Sequence, residues 1–387
     1  MDTFLGYPRP GGRAGTRNYL AIIPTVFCAN EVVARIAKKF KSAKPLLHHQ
    51  GCAQLKPDVD LVTQTLIGLG TNPNVGAVLL VGLGCESVSI QEVYQGIKDR
   101  GQKVAKIIIQ DVGGMKKALQ RGTELAAGLH RGLSGMKRKP VPVSHLVMGI
   151  KCGSSDASSG LVSNPAVGGA SDLLLAKGGS VIFGETTEFM GAEHLLARRA
   201  VSADVAAKIF EIVTQMEDRV KASGVDMRGS NPTPGNIRGG LTTIEEKSLG
   251  AICKSGSMPI DGVLEYGQTI PGKGLFILDS PGKEAEIMTG LSAAGANMIV
   301  FSTGGGAPQG YPLVPVIKVA GNPAKCRIMR DHIDIDAGGV LLGHLTIDQV
   351  AQKIYDALLT VGGGKTVKAE KLKYDQTVEI YTTGPTV

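Results

Sequence analysis

Along this chain short apolar runs alternate with segments whose apolar positions recur every three or four residues. In the first third the runs are YLAIIPTV (19–26), KPLLHH (44–49), VGAVLLVGLG (75–84) and KVAKIIIQ (103–110), with helix-period segments such as NEVVARIAKKF and SIQEVYQGIKDR between them. Continuous runs of this length suit strands buried on both faces, and strand and helix in alternation predict a parallel, doubly wound sheet. After KRKPVPVS (137–144), which reads as a linker, comes a second series: HLVMGIK (145–151), SVIFGE (180–185), LFILD (275–279), NMIVFST (297–303) and VPVIKV (314–319). One long helix is predicted over 191–223. The expected fold is therefore α/β, with two Rossmann-like parallel-sheet domains, 1–140 and a larger 141–387, and a site between them at the carboxyl ends of the strands.

The residues just past each predicted strand test whether that edge is used. Cys28 and Asn30 come after the first, His48, His49 and Cys52 after the second, Cys85 and Glu86 after the third, and Gln110 and Asp111 after the fourth. In the second series Cys152 and Asp156 come after one strand and Glu185 and Glu188 after the next. A lone cysteine is ordinarily a small buried hydrophobe. Four of the six cysteines just past strand ends point instead to a site. CGSSDASSGLVSNP (152–165) is then a strand-to-helix loop lining a cleft.

Two further segments carry polar groups. STGGG (302–306) comes after a strand and suits an anion held by backbone N–H groups. NPTPGNIRGGLTTIEEKSLGAICKSG (231–256) has prolines and glycines that argue against a regular element in its first half, yet it brings Asn231, Asn236, Thr242, Glu246, Lys247 and Lys254. EEKS can also be simply a solvated helix start.

Composition narrows the function classes. The 53 glycines in 387 residues are about twice average usage and lie among apolar runs, which means tight turns and close backbone approach, not disorder. The formal charge of +8 is scattered, aromatics are 4% and Trp is absent, so no nucleic-acid platform is built. The charge fits attraction of a small anionic substrate. No run of 18 apolar residues and no signal-peptide pattern occurs, and six cysteines in so long a chain do not form a disulfide framework, so a cytoplasmic protein with no membrane contact is expected. The phosphate loop GxxxxGK[ST] is missing, and VGLGCE lacks the third glycine of a dinucleotide fingerprint.

The ordered series GYPRPGGRAGTRN, HHQGC, PNVGAVLLVGLGCE, KCGSSDASSGLVSNPA, ETTEFMGAE, NPTPGNIRGGLTTIEEKSLG, STGGGAPQG and DIDAGG, from Gly6 to Gly339, resembles the altronate/galactarate dehydratase family, whose relatives include the large subunit of a (2R)-sulfolactate sulfo-lyase. The dehydratases carry a small N-terminal domain that is missing here, which implies a separate small alpha subunit as partner in a hetero-oligomer. Gly11 replaces the usual Asp of the first motif, and Gly305 stands where sugar-acid dehydratases have Arg. The resemblance implies elimination on an anionic 2-hydroxy acid. Either (2R)-3-sulfolactate gives pyruvate and sulfite, or altronate or galactarate gives a 2-oxo-3-deoxy acid. It also implies a divalent metal, Fe2+ in the dehydratases, for which His48, Cys52, Cys85, Glu86 and Cys152 are candidate ligands. Lys247 is the candidate base, with Glu246 as the alternative, beside Asp156 and Cys152. Arg13, Arg17, Asn164, Asn236, Ser302, Thr303 and Gly304 are candidate substrate holders. From another class, a non-catalytic sugar-acid binding protein would use the same cleft without a base.

Overall fold

A computed structural model describes residues 2–387, and its regular elements reproduce the alternating pattern. Strands Ala43–Pro45, Tyr19–Pro24, Val75–Gly82 and Val104–Ile108 form a four-stranded sheet in that spatial order, every pair parallel. Seven strands form a second parallel sheet in the order Gly262–Leu264, Gly274–Leu278, Ser180–Phe183, Val147–Gly153, Met298–Thr303, Val316–Ala320 and Ile335–Asp336. The three at its centre are buried along their whole length, which is why they read as unbroken apolar runs.

The two sheets share a core. One apolar cluster joins Ala21, Ile23, Val78 and Leu80 of the smaller sheet to Ile182, Leu278, Ile299 and Phe301 of the larger. Helix Lys56–Gly70 reaches across to helix Glu284–Ala294. Gly68 sits at their crossing, where a Cβ would lie 2.5 Å from the Ala293 carbonyl oxygen. Side chains such as Leu291, Ile299 and Leu80 have no exposed surface, and each such burial contributes about 1.5–3 kcal/mol.

Three expectations change. The predicted linker 137–144 contains strand Lys139–Pro142, which pairs antiparallel with Thr3–Arg9, itself paired with Arg13–Gly15 in a small third sheet. Short strands whose partner lies more than a hundred residues away leave little periodic signal. The single helix expected over 191–223 is two, Glu193–Ala197 and Ala203–Ala222, because Ala200 bridges to Ile260 and the Ser202 hydroxyl caps the second helix. The segment after Asn231 does hold a regular element, the short helix Pro234–Arg238, where the proline stands at the helix start and Thr233 caps it. Among the described residues no helix is long and apolar enough to cross a membrane.

Candidate active site

Strand Val147–Gly153 ends in Lys151 and Cys152, both buried at the centre of the larger sheet. A lysine there is tolerated only with partners, since an unpaired buried charge is costly. Its partner is Glu185, just past the neighbouring strand Ser180–Phe183. The Lys151 Nζ donates to Glu185 Oε1 and to the Cys152 carbonyl, while the Cys152 N–H donates to Glu185 Oε2 at 2.8 Å. Glu185 adopts a left-handed backbone (φ 75°), held by the Ser280 hydroxyl, which accepts its N–H at 3.0 Å. A left-handed backbone at a non-glycine residue persists only where the surrounding contacts hold it, as they do here.

The array continues outward. Lys254, with no exposed surface, pairs with Glu185 Oε2 and lies 3.3 Å from Glu188 Oε2. Lys247 lies 3.5 Å from Glu188 Oε1 and donates to Asn231 Oδ1 at 3.2 Å. Lys247 is also the member that reaches open space, a cavity of about 330 Å3 lined with Ser155, Asp156, Asn164, Glu246 and Cys253. The array thus runs from the sheet interior to a cleft.

Electrostatics result from this packing. Burial pulls the Lys151 and Lys254 ammonium groups down, but Glu185 and Glu188 outweigh it and hold both above the ordinary lysine value. Burial and the nearby Glu188 push the Glu185 carboxyl up, against the pull of the two ammonium groups. For Glu188 the burial penalty is overcome by Lys254, Lys247 and Lys151, and its carboxyl is lowered. The Cys152 thiol is pushed up to about 11, first by burial and then by Glu188, and its sulfur lies 3.5 Å from the Ser155 hydroxyl.

Several predicted residues gather here in supporting roles. Asp156 accepts from the Ser158 hydroxyl, from the Ser159 N–H at 3.1 Å and from Asn322 at 3.0 Å, so its carboxylate starts the turn that leads into helix Asn164–Ala176. Gly304 lets the neighbouring loop approach it, since a Cβ there would lie 2.2 Å from Asp156 Oδ1. Asn236 donates to the Ser155 carbonyl at 2.8 Å, and Asn164 donates to the Gly250 carbonyl at 2.9 Å. Ser302 joins Ser163 and Asn164 through its hydroxyl. Glu246 accepts from the Thr242 N–H at 2.7 Å and from its hydroxyl, and so closes the start of helix Ile244–Ile252.

Other expectations are revised. The anion nest of STGGG has donors already committed: Gly306 and Ala307 N–H donate to the Thr303 hydroxyl, and the Gly305 N–H to the Ser154 carbonyl at 2.8 Å. Arg17 grips Glu370 with two 2.8 Å bonds and donates to the carbonyls of Thr16, Val361 and Lys365, so it binds the chain's own C-terminal part. Arg13 lies at the opposite edge of the larger sheet, near Val147 and Ser180 where its strands begin. Of the metal candidates, His48 is buried with both ring nitrogens engaged, Nε2 with the Pro24 carbonyl at 2.8 Å and Nδ1 accepting from the Gln50 N–H at 3.2 Å. Glu86 accepts from Thr25 at 2.8 Å and from the Gly84 N–H at 2.5 Å. Cys52 and Cys85 are exposed, as is Cys28. Their loops touch: Phe27 N–H donates to Gln50 at 3.0 Å and Ser87 N–H to Gly51 at 2.9 Å. Among the described residues no three His, Cys, Asp or Glu side chains gather closely enough to hold an ion by themselves.

Sequence reasoning named Glu185 and Glu188 past a strand end and Lys254 in the polar segment 231–256 but gave none of them a role, and it passed over Lys151. A signal was there: Lys151 interrupts an otherwise apolar run that reads as a strand buried on both faces, and such a lysine needs a carboxylate.

The parallel sheets thus bring an ion-paired array of lysines and glutamates to the wall of a small cavity, an arrangement chemically able to move protons on a small substrate. Residues 143–386 match the family described as D-galactarate/altronate dehydratase, C-terminal, and residues 6–134 that described as D-galactarate dehydratase/altronate hydrolase, second domain. The (2R)-sulfolactate sulfo-lyase subunit beta of Chromohalobacter salexigens is 39% identical over 97% of this chain and 96% of its own. The altronate dehydratase of Bacillus subtilis is 33% identical over 100% of this chain and 78% of its own, and the galactarate dehydratase of Escherichia coli 35% over 94% and 73%. The chain belongs to the galactarate/altronate dehydratase family.

Proposed function

We propose that this lyase is the large catalytic subunit of a cytoplasmic hetero-oligomer that converts (2R)-3-sulfolactate to pyruvate and sulfite, with a small alpha subunit as partner. The two parallel sheets are read as Rossmann-like units divided near residue 140, with the site at their strand carboxyl ends. The carrying observation is the surplus charge of the array: Lys151, Lys254 and Lys247 against Glu185 and Glu188, with Lys247 at the mouth of the cavity. Lys247 is the member of the array that lines the cavity, so it is the group placed to act as base.

Lys247 takes the proton from C2 of the 2-hydroxy acid. The electron pair forms the C2=C3 double bond while the C3–S bond breaks and sulfite leaves with its bonding pair. The enol of pyruvate then accepts a proton at C3, gives up its 2-hydroxyl proton to solvent and becomes the 2-oxo acid. The new ammonium at Lys247 is received by Glu188, 3.5 Å away. The negative charge that develops next to the substrate carboxylate lies beside that ammonium, which stabilises it. The relative named as a sulfo-lyase supports the substrate. Gly305 supports it too: a Cβ there would lie 1.9 Å from the Ser154 hydroxyl oxygen, so a longer side chain needs that hydroxyl to turn away.

A divalent metal, iron, is part of the proposal. His48 does not fit as a ligand in this arrangement, whereas Cys52 and Cys85 are exposed on loops that touch, and the rest of a ligand set would have to come from substrate or partner. When bound, the metal would polarise the substrate carboxylate and 2-hydroxyl.

A second reading, a split sugar-acid dehydratase, is favoured by the hydroxyl and amide groups of Ser155, Ser159 and Asn164 in the cavity wall, which can satisfy a polyol. Assaying the chain with its small subunit against sulfolactate, altronate and galactarate decides between them. The proposal expects sulfite and pyruvate in equal amounts and faster than any 2-oxo-3-deoxy acid. Turnover of a sugar acid without sulfite release overturns it, and ligand binding without turnover of any of the three identifies a binding protein.

A further inference from the structure

A second cavity, of about 270 Å3, opens at the other edge of the larger sheet, where strands Val147–Gly153 and Ser180–Phe183 begin. Its wall joins the turn at Gly11–Arg13 and Thr71 to Val147, Ser180 and the loop from Thr269 to Lys273. Arg13 and Lys273 are its charged residues, and no carboxylate lines it. Burial, and for Arg13 also the nearby Arg100, keeps both cations below their ordinary values, with no acidic group opposing. Arg13 spends Nη1 on the Thr71 carbonyl at 3.0 Å and Nε on that of Pro10 at 3.4 Å. Among the described residues its Nη2 has no acceptor.

Two neutral groups in the same wall are also unsatisfied. Ser180 has no exposed surface, and its hydroxyl has no hydrogen-bond partner; neither has the buried Nδ1 of His145. An unmet buried polar group costs about 1–3 kcal/mol, which a ligand oxygen would remove. Cations without counter-charge and neutral polar groups without partners, in the wall of one cavity, are the complement of an oxyanion.

We propose that this cavity binds a small oxyanion, a carboxylate, sulfonate or phosphate of a few heavy atoms, with Arg13 and Lys273 supplying charge and Ser180 and His145 hydrogen bonds. The site is separate from the array at Lys247 and independent of the reaction assigned to it. Because its wall takes residues from both sequence halves, a bound anion ties the N-terminal hairpin to the strand whose far end carries Lys151.

Calorimetric titration of the full chain with inorganic phosphate, sulfate and malonate, at ionic strength held constant with chloride, tests this. Saturable binding of one anion per chain in the millimolar range or tighter is expected for at least one of the three, with a raised melting temperature. Lys273→Met, on an exposed loop, and Arg13→Met should each weaken it about ten-fold, and Lys247→Met should leave it unchanged. No saturable binding by any of the three, or binding that survives the Arg13→Met, Lys273→Met double variant, overturns the proposal. Loss of binding in Lys247→Met places the anion in the other cavity and overturns it equally.

Discussion

Lys254 and Glu185, 69 residues apart in the chain, form an ion pair with no exposed surface on either side chain. Glu185 is at once the acceptor for Lys151 and for the Cys152 N–H, so one carboxylate joins the end of the central strand to the helical segment that carries Lys254. Position and charge are therefore coupled, and a change at Glu185 acts on both.

Glu185→Gln removes the negative charge between two buried ammonium groups. Breaking such a pair on one side costs ~3–5 kcal/mol, because the remaining charge stays buried and uncompensated. Urea unfolding monitored by circular dichroism should show a loss of that order. Wild-type stability in this variant would mean that water already reaches the pair.

Lys247 is 12% exposed and touches the array only through Glu188 and Asn231. Lys247→Met should lower turnover by about 10²–10⁴-fold, the range of a lost general base, while the melting temperature stays close to that of wild type. Glu246→Gln, which loosens only a helix start, should stay within a few-fold of wild type. Reversed results in steady-state assays would assign the base to Glu246.

His48 carries a pH dependence of stability. Burial lowers its value from 6.5 to about 4, against the pull of the Pro24 carbonyl, so the folded protein keeps the ring neutral. The unfolded chain takes up a proton near pH 6.5 and the folded one only near pH 4. Stability from this group is complete above pH 6.5 and is lost as pH falls through that window, by up to about 3 kcal/mol. Denaturation midpoints between pH 7 and pH 4 should fall more steeply for wild type than for His48→Gln, and equal slopes would refute the assignment.

Gly168 lies in helix Asn164–Ala176 where the segment carrying Lys254 crosses it, and a Cβ there would stand 2.2 Å from the Cys253 carbonyl oxygen. Backbone must move to admit a methyl group, at about 1–3 kcal/mol. Gly168→Ala should lower both stability and turnover, since the shift displaces Lys254. A variant with normal turnover and lowered stability would show that Lys254 tolerates displacement.

Much of the frame is legible in the order of residues alone. VGAVLLVG and NMIVFST are buried on both faces, and a strand with no wet face has no reason to alternate, so its sequence is a continuous apolar run. The same logic places CGSSDASSGLVSNP: a run of small polar residues after a buried strand belongs at its carboxyl end, where the chain turns back into Asn164–Ala176. The hairpin from Thr3 to Gly15 is not legible, because its strands are short and one of them pairs with Lys139–Pro142.

By itself the sequence determined where strands and helices run and which loops bear polar groups, because burial on two faces and helical period are local patterns. The tertiary structure decided which of those groups meet. Arg17 looked free to hold a substrate until folding brought Glu370, 353 residues on, within 2.8 Å of it. Lys254 stood in the polar segment 231–256 with no partner named until packing closed over it and left Glu185 as its counter-charge. Burying a charge costs least where an opposite charge is buried with it, and no local pattern states which distant carboxylate that will be.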